Sequence, residues 1–369
     1  MADKELTLNQ LLSEAITVGG SDLHLVHGSS PMVRVSGEIA ALKHPALSSD
    51  EIMALLKPFI NQNEMDAFKR ELHLHFSRSI DSLGRFRFSL YYALGTVGAT
   101  IRIITSKIYP LAALGLPPIV GNLITRKTGI ILVTGPTGSG KSTTMAAMLE
   151  HLNQSGRPQK VITIEDPIET IFKPAHCIFV QREVGVDTPS FETGTLDALR
   201  QDPDILCIGE LRDSKSIQAA MLAAETGHLV ITTLHTRDAS KTAQRIISSF
   251  PEADQQALSE QFASTIEAVI SQELLPRADG KGMVVAPEIL IATSAVRQLI
   301  RERRLEAITD AIQSGASVGM VSKDMWLKNL LQKNIISRDT ALGAAHSSEM
   351  LDERSKLPPS KENVFFRKL

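Results

Sequence analysis

The stretch that decides the fold is Gly135-Pro136-Thr137-Gly138-Ser139-Gly140-Lys141-Ser142-Thr143. It follows the apolar run 129–134, and the residues after it, up to Leu152, place apolar side chains at helical spacing. A strand, a glycine-rich turn and an amphipathic helix in this order are the setting of a P-loop. A glycine-rich turn that binds no ligand is the alternative, and the match of both pattern and context disfavours it. The sequence therefore predicts a binding site for a nucleoside triphosphate.

Each part of this loop has an expected role. Glycines allow backbone N–H groups to close around phosphate oxygens, and the helix N-terminus adds the positive end of its dipole. Lys141 is expected to neutralise the β- and γ-phosphates, and the Ser142 hydroxyl to reach Mg²⁺. The predicted ligands are a nucleoside triphosphate and Mg²⁺.

Hydrolysis also requires an acidic group near the γ-phosphate and a second one that holds Mg²⁺ through water. In a parallel sheet these acids lie at the carboxyl ends of strands, which favours Glu165 as general base, with Glu169 a weaker candidate, and Glu210 as the Mg²⁺ acid. Asp204 lies at the start of the strand that Glu210 follows. At ~3.3 Å per residue the two acids are about 20 Å apart, so Asp204 is excluded from the Mg²⁺ site. The alternative for Glu165 and Glu210 is a pair of solvated acids at strand ends.

His235 follows the strand predicted at 228–234 and is expected at the same edge of the sheet. A neutral imidazole there could donate a hydrogen bond to the γ-phosphate and so report its presence. The alternative, a surface histidine that opens the next helix, stays open at this point.

The amino-acid composition indicates the broad class of protein to which the chain belongs. The 369 residues are 43% hydrophobic and 22% charged, which is typical of a globular chain of two or three domains. A formal net charge of −2 disfavours a protein-wide nucleic-acid footprint. No stretch approaches the ~18 apolar residues of a membrane span, and the N-terminus lacks a signal-peptide core. We therefore expect a cytosolic protein, or one held at a membrane by a partner.

The cysteines argue against two kinds of site. Cys177 and Cys207 are the two in the chain and form no C-x-x-C pair. A zinc site built mainly on thiolates is therefore excluded, and a disulfide scaffold is implausible. Both cysteines lie in apolar runs, which predicts inert buried thiols.

The pattern along the chain predicts the domain organisation. Residues 1–105 mix helices with alternating strands, which indicates a small α+β domain. Residues 106–118 carry the Pro and Gly residues of a linker. In residues 119–292 strands alternate with helices, which predicts an α/β domain with a mainly parallel sheet. Residues 293–345 read as a helical subdomain, and residues 346–369 as a flexible tail.

Individual elements of the α/β domain can be predicted as well. Its strands are predicted at 129–134, 160–165, 176–181, 204–209, 228–234 and 283–291. Its helices are predicted at 141–153, 190–201, 214–226, 238–249 and 254–271.

Four blocks of sequence now stand in order and carry a family resemblance. They are GPTGSGKST at 135–143, VITIEDPIE at 161–169, DILCIGELRD at 204–213 and AETGHLVITTLHT at 224–236. This set resembles the secretion-type ATPases of type II secretion and type IV pili, with their Walker A, Asp box, Walker B and His box. Other segments are similar to the pilus retraction ATPases, the PilT and PilU group: GGSDLHL at 19–25, LGRFRFSLYY at 83–92, QREVGVDT at 181–188 and ISQELLP at 270–276. The resemblance runs from about residue 6 to about residue 345.

The resemblance implies a PAS-like N-terminal domain, a RecA-like ATPase domain and a homo-hexamer. It implies hydrolysis of ATP to ADP and phosphate, coupled to the mechanical work of pilus retraction in twitching motility. The implied partners are a pilus inner-membrane platform protein and a paralogous retraction ATPase, with no nucleic acid and with membrane contact only through partners. The implied location is cytoplasmic, peripheral to the bacterial inner membrane.

The resemblance also implies that the N-terminal domain supplies arginines to the nucleotide. By position these are Arg85, Arg87 and Arg102, whose guanidinium groups suit the spread charge of a phosphoryl transition state. On the residues alone, surface salt bridges are the commoner use of such arginines. Further candidates on the ATPase domain are Arg200, Arg212 and Arg245.

One more segment, 294–302, is similar to the AIRNLIRE motif that is associated with PilT. Its apolar residues are expected to pack, which leaves Arg297 and Arg301 together on the outer face at i, i+4 spacing.

Several rival functions remain. An accessory retraction ATPase of the PilU type is one, and a pilus or secretion assembly ATPase is another, although the cysteine count argues against the zinc module usual in the latter. A nucleotide-gated scaffold with little turnover is a third. A RecA-like nucleic-acid motor is the rival from a different class, but it needs a basic, aromatic-rich channel, and aromatic residues make up 4% of this chain.

Overall fold

The computed structural model describes residues 6–35, 37–104 and 108–346. Its contacts divide the chain into two units. The first comprises the residues up to Lys107 together with Pro167–Ile171, and the second comprises Ile108–Asp166 and the residues from Phe172 onwards. Apart from His346, the predicted tail at 346–369 lies outside the described residues.

The first unit is an antiparallel sheet with helices packed on it. Its elements are α1 (Leu8–Thr17), β1 (Gly20–Leu25), β2 (Met32–Val35), β3 (Glu38–Ala41), α2 (Ser49–Leu56), α3 (Gln62–Glu71), β4 (His73–Ile80), β5 (Gly84–Ala93) and β6 (Thr96–Ile104). The strand order is β3-β2-β1-β6-β5-β4, and every neighbouring pair is antiparallel. The predicted mixture of helices and antiparallel strands is confirmed.

Alternation in these strands separates a buried face from a polar one. Phe86 and Phe88 of β5 and Ile101 of β6 are fully buried and pack with Leu11 and Leu12 of α1 in one core. Polar side chains therefore occupy the opposite face. Strand β3 was not predicted, because its four residues are all exposed at the edge of the sheet and show no alternation.

The second unit alternates strands with helices. Its elements are α4 (Ile119–Leu123), β7 (Gly129–Thr134), α5 (Lys141–Gln154), β8 (Lys160–Glu165), β9 (Ile178–Glu183), α6 (Phe191–Ala198), β10 (Ile205–Ile208), α7 (Ser214–Glu225), β11 (Leu229–Leu234), α8 (Ala239–Ser248), α9 (Gln255–Thr265), β12 (Ile266–Pro276), β13 (Met283–Ile291), α10 (Ser294–Arg301), α11 (Ile308–Ser314), α12 (Lys323–Gln332) and α13 (Arg338–Ala344).

The sheet of the second unit has the order β13-β12-β7-β11-β10-β8-β9. All neighbouring pairs are parallel except β12 and β13, which are antiparallel. Buried clusters of apolar side chains cover both faces of this sheet. The predicted α/β fold with a mainly parallel sheet is confirmed, and the carboxyl ends of β7, β8, β10 and β11 share one edge.

One element was predicted wrongly. Residues 254–271 were expected to form a single helix, but α9 ends at Thr265 and β12 begins at Ile266. Strand β12 lies between β7 and β13, and residues 268–272 are all buried. A strand that is buried on both faces shows no alternation, so its sequence cannot be distinguished from a buried helix by periodicity. Strand β9 also begins two residues later than expected.

Residues predicted as a linker contribute to the second unit. Ile108, Leu111 and Leu116 are partly buried and pack against the apolar cluster that includes Val120 and Leu149. A short 3₁₀ helix spans Leu111–Leu114. In the part of the chain that the structure describes, every helix is too short or too polar to cross a bilayer.

The two cysteines are buried and unpaired, as predicted. Burial raises the pKa of both thiols, most strongly that of Cys207, so neither is a ready nucleophile.

The prediction that Arg297 faces outwards beside Arg301 is wrong. The Arg297 side chain is 20% exposed and pairs with Glu267 at 2.6 Å. It also donates to the carbonyl oxygens of Ala263 at 2.7 Å and Ser264 at 2.9 Å, at the end of α9. The last carbonyls of a helix lack partners within it, and a guanidinium group can satisfy several at once. Arg297 therefore closes the C-terminus of α9.

Replacement of Arg297 by alanine is expected to lower the free energy of unfolding by about 2–3 kcal/mol, because Glu267 keeps only the longer ion pair with Arg126 at 3.6 Å and two carbonyls lose their donor. Arg301→Ala is the matched control. Arg301 donates to Gln298 at 3.2 Å on the surface, and its loss should cost less than about 0.5 kcal/mol. Urea unfolding of both variants measures the difference, and equal losses would contradict the capping role.

Candidate nucleotide-binding and catalytic site

The loop between β7 and α5 has a backbone that depends on glycine. Gly135, Gly138 and Gly140 have φ angles of 145°, 79° and 86°, all in the region that side chains disfavour. At Gly135 a Cβ atom would lie 2.2 Å from the carbonyl oxygen of Gln272 and 2.5 Å from Ser139 Oγ. The loop is thus closely packed against β12, while Thr137 and Gly138 at its tip are exposed.

Lys141 opens α5 and turns back over this loop. Its Nζ donates to the carbonyl oxygens of Gly135 at 2.9 Å and Pro136 at 3.0 Å. Lys141 is 9% exposed, and burial lowers the pKa of its ammonium group, although the nearby charge of Glu210 opposes this shift. A buried cation beside glycines with left-handed backbone, at a helix N-terminus, fits the phosphate chain of a nucleotide.

All four sequence blocks meet at this edge of the sheet in one chain of polar contacts. Lys141 Nζ lies 3.4 Å from His235 Nδ1, and His235 Nε2 lies 3.2 Å from Glu210 Oε2. Glu210 Oε1 accepts from Arg212 Nε at 2.6 Å, and Arg212 Nη1 pairs with Asp166 at 3.0 Å. The P-loop lysine is therefore connected to the acidic ends of β8 and β10.

The contacts of His235 select one tautomer. An ammonium group has no acceptor, so Nδ1 of His235 must accept from Lys141. The ring proton then lies on Nε2 and is donated to Glu210. The structure thus brings His235 into the site, as predicted, and gives it two defined partners.

The environment of Glu210 keeps this carboxylate ionised. Burial by itself raises the pKa of Glu210, but hydrogen bonds from Arg212 and His235 more than offset it, and the pKa is lowered. The guanidinium of Arg212 also lies over the ring of Phe191, 5.5 Å from its centroid. Glu210 is therefore an oriented negative charge close to the P-loop lysine.

Glu165 ends the strand β8, directly beside β10. Its Oε1 accepts from Thr163 Oγ1 at 2.6 Å and from Gln181 Nε2 at 3.2 Å. The backbone N–H of Gly209 donates to Ile164 at 2.8 Å, so the ends of the two strands are in register. Glu165 at the end of β8 and Glu210 just after β10 thus lie at the same edge of the sheet, as predicted. The alternative candidate Glu169 lies in Pro167–Ile171, which belongs to the first unit.

Asp204 has a structural role at the other end of β10. Its Oδ2 accepts the backbone N–H of Lys160 at 2.8 Å, where β8 begins. The argument that excluded Asp204 from the Mg²⁺ site therefore agrees with the structure.

The predicted arginines of the first unit share the polar face of its sheet. Arg87 of β5 lies directly opposite Arg102 of β6, and both are exposed. Arg102 pairs with the buried Asp22 at 2.9 Å. Arg85 donates to the carbonyl oxygen of Ile168 at 2.8 Å. Two neighbouring guanidinium groups give this face a local positive charge, and their role toward the nucleotide stays a prediction.

The structure also distinguishes among the further arginine candidates and reveals site residues that the sequence did not predict. Of the three further arginine candidates, Arg212 lies in the polar network, whereas Arg200 and Arg245 are exposed elsewhere on the second unit. Thr163, Gln181 and Gln272 were not predicted. They lie within strands, and their contacts with Glu165 and with the phosphate loop are seen only in the fold.

The chain is similar to known proteins over most of its length. The family model described as "Type II/IV secretion system protein" matches residues 2–318. The chain belongs to this family. Among its members, the type IV pilus retraction ATPase PilT of Pseudomonas aeruginosa is 40% identical over 336 residues, which are 91% of this chain and 97% of that protein. The type IV pilus ATPase PilU of the same organism is 34% identical, over 95% of this chain and 92% of that protein.

A solved structure of the family has the same fold. The crystal structure of the pilus retraction motor PilT with bound ADP superposes with a TM-score of 0.87 at 39% identity, over 94% of this chain and 98% of that one. The resemblance that the sequence motifs indicated is therefore confirmed at the level of the whole chain.

Proposed function

We propose that this protein is an ATPase that hydrolyses ATP to power the retraction of type IV pili, and hence twitching motility. The observation that carries the proposal is the chain of contacts from Lys141 through His235, Glu210 and Arg212 to Asp166. It ties the P-loop to the acids of two neighbouring strands in a family whose member PilT, a retraction ATPase, matches 91% of this chain.

The residues present fit a nucleotide with Mg²⁺. The Ser142 hydroxyl, exposed in the first turn of α5, and the ionised Glu210 are the groups that would hold the ion, Glu210 through water. When bound there, Mg²⁺ would act as a Lewis acid that stabilises negative charge on the phosphate. Lys141 would exchange the carbonyl oxygens of Gly135 and Pro136 for phosphate oxygens, which are stronger acceptors for an ammonium group.

Glu165 is proposed as the general base. The hydroxyl of Thr163 and the amide of Gln181 both donate to one of its oxygens, and so fix the direction of the carboxylate. His235, with its proton on Nε2, would couple the state of Lys141 to that of Glu210. Together these groups position water, metal and phosphate without a covalent step.

The assembly is proposed from the family. We assign a homo-hexamer, a cytoplasmic location at the inner membrane, and as partners a platform protein of the pilus machine and a paralogous retraction ATPase. Arg85, Arg87 and Arg102 are assigned the supply of positive charge to the nucleotide. An accessory role like that of PilU is the second candidate, because PilU matches 95% of this chain.

A direct test measures turnover by the purified full chain. We expect Mg²⁺-dependent release of phosphate from ATP that EDTA abolishes and that single-stranded DNA does not stimulate. Stimulation by DNA that falls steeply with salt would instead support a nucleic-acid motor.

A motility assay in cells distinguishes a retraction motor from an accessory retraction ATPase. The gene is introduced into a piliated, non-twitching strain that lacks its retraction ATPases, and retraction is scored by twitching. Restored motility supports a motor. Active ATPase without restored motility would overturn the motor role and favour the accessory one.

A further inference from the structure

The side chain of Gln272 connects two points of the phosphate loop. It lies on β12 and is 4% exposed. Its Nε2 donates to the carbonyl oxygen of Ser139 at 2.6 Å, and its Oε1 accepts from Thr144 Oγ1 at 2.9 Å. Ser139 precedes Lys141 in the loop, and Thr144 lies one turn into α5. One amide therefore bridges the loop and the helix on either side of the phosphate-binding lysine.

The same part of β12 contacts the rest of the loop. The hydroxyls of Ser271 and Thr134 lie 2.8 Å apart, at the point where β7 ends. The carbonyl oxygen of Gln272 occupies the space that a side chain at Gly135 would need. At Gly140 a Cβ atom would lie 3.2 Å from Gln272 Nε2. The loop is thus shaped to fit this glutamine from its first glycine to its last.

The hydrogen bond from Gln272 to Ser139 fixes the orientation of one peptide group in the loop. In a trans peptide the C=O and N–H bonds point in opposite directions. The carbonyl of Ser139 points to Gln272, so the N–H of Gly140, which belongs to the same peptide, points away from β12. An unsatisfied loop peptide could otherwise rotate, since glycine tolerates either orientation.

Only an amide of this length supplies both bonds. It donates through nitrogen and accepts through oxygen, whereas a carboxylate only accepts and a thioether does neither well. Because both hydrogen bonds are buried, they are strong and neither is easily replaced.

We propose that Gln272 is a positioning residue, which sets the orientation of the Ser139–Gly140 peptide and so pre-forms the loop for phosphate binding. This inference rests on the proposed ATPase function, and it assigns nucleotide affinity to a residue of β12 that lies 131 positions after Lys141 in the sequence.

The test compares variants of the full chain by their affinity for fluorescently labelled ADP and by their steady-state kinetics. Gln272→Met keeps the length of the side chain but removes the donor and acceptor pair. We expect ADP affinity to fall by about 10–100-fold, because a pre-formed loop is lost. KM for ATP should rise more than kcat falls, because Glu165 and Glu210 are unaltered.

Two further variants distinguish the positioning role of Gln272 from a general loss of packing around β12. Val269→Ala removes buried apolar contacts from the same strand, three residues before Gln272. It should lower the melting temperature while ADP affinity stays within about twofold of wild type. Thr144→Val removes only the second bond and should weaken ADP binding by less than about fivefold.

The possible results distinguish an error in the role assigned to Gln272 from an error in the proposed ATPase function. Wild-type affinity in Gln272→Met, or an equal loss in Val269→Ala or Thr144→Val, would overturn the role assigned to Gln272 and leave the proposed function intact. Wild-type protein that binds no ADP would overturn both. If Gln272→Met does not fold, Gln272→Glu carries the test, since it keeps the acceptor for Thr144 and loses the donor to Ser139; retained ADP affinity would then contradict the proposal.

Discussion

Lys141→Ala is expected to reduce ATP turnover by at least about 10²–10³-fold, the usual cost of removing one donor from a charged transition state. The structure gives the reason. Lys141 Nζ lies over the loop, held by the carbonyl oxygens of Gly135 and Pro136, and it contacts His235 at 3.4 Å. Its loss removes both the charge that receives the phosphates and the first link to Glu210.

Loss of activity in this variant is not expected to come from unfolding. Burial lowers the pKa of Lys141, which means that the folded state disfavours its charged form. The ammonium group also donates to the carbonyl oxygens of Gly135 and Pro136, so its removal should lower the melting temperature slightly without unfolding the chain. Lys127→Ala, at an exposed lysine before β7, is the matched control and should keep full turnover. Phosphate release measures both, and full activity in Lys141→Ala would overturn the assignment of the P-loop.

Glu210→Gln should bind ATP with nearly wild-type affinity but hydrolyse it about 10²–10³-fold more slowly. Glutamine keeps the size of the side chain and an acceptor for Arg212. It loses the negative charge that faces Arg212 and His235 and that would hold the Mg²⁺ shell. Binding and turnover should therefore separate in this variant.

Asp204→Asn is the matched control, because Asp204 is the acid at the opposite end of the same strand. Asparagine can still accept the N–H of Lys160, so turnover should stay within about twofold of wild type. Hydrolysis lost in Asp204→Asn and retained in Glu210→Gln would reverse the assignment of the two acids.

The pKa of Glu210 adds a dependence on pH. A carboxyl group with a lowered pKa keeps its charge as the pH falls to its usual value, near ~4.3, and loses it only below that. Its contributions to stability and to metal binding are thus present above that range and are lost as the pH falls through the lowered pKa. Protonation of Glu210 should not limit turnover at mildly acidic pH.

Much of the site could be predicted because it depends on local patterns and one rule of topology. The strand, glycine turn and helix around Lys141 are contiguous in sequence. Glu165, Glu210 and His235 each follow an apolar strand, and the carboxyl ends of parallel strands meet at one edge. The sequence alone therefore predicts that these residues lie together.

The wrong and the missing predictions have equally specific causes. Strand β12 was read as helix because burial on both faces removes the alternation that identifies a strand. Arg297 has the spacing of a surface residue, but the open carbonyls of α9 lie next to it in the fold. Thr163 and Gln181 lie in segments that carry the family resemblance, but no local pattern shows that both side chains contact Glu165.

The sequence by itself determined which residues form the phosphate loop and which acids end the strands beside it, because both are encoded in residues that are neighbours along the chain. Only the tertiary structure decided the partners: His235 between Lys141 and Glu210, and Gln272 against Ser139. Such contacts join residues up to 133 positions apart, and they depend on strand order and burial, which no local pattern records.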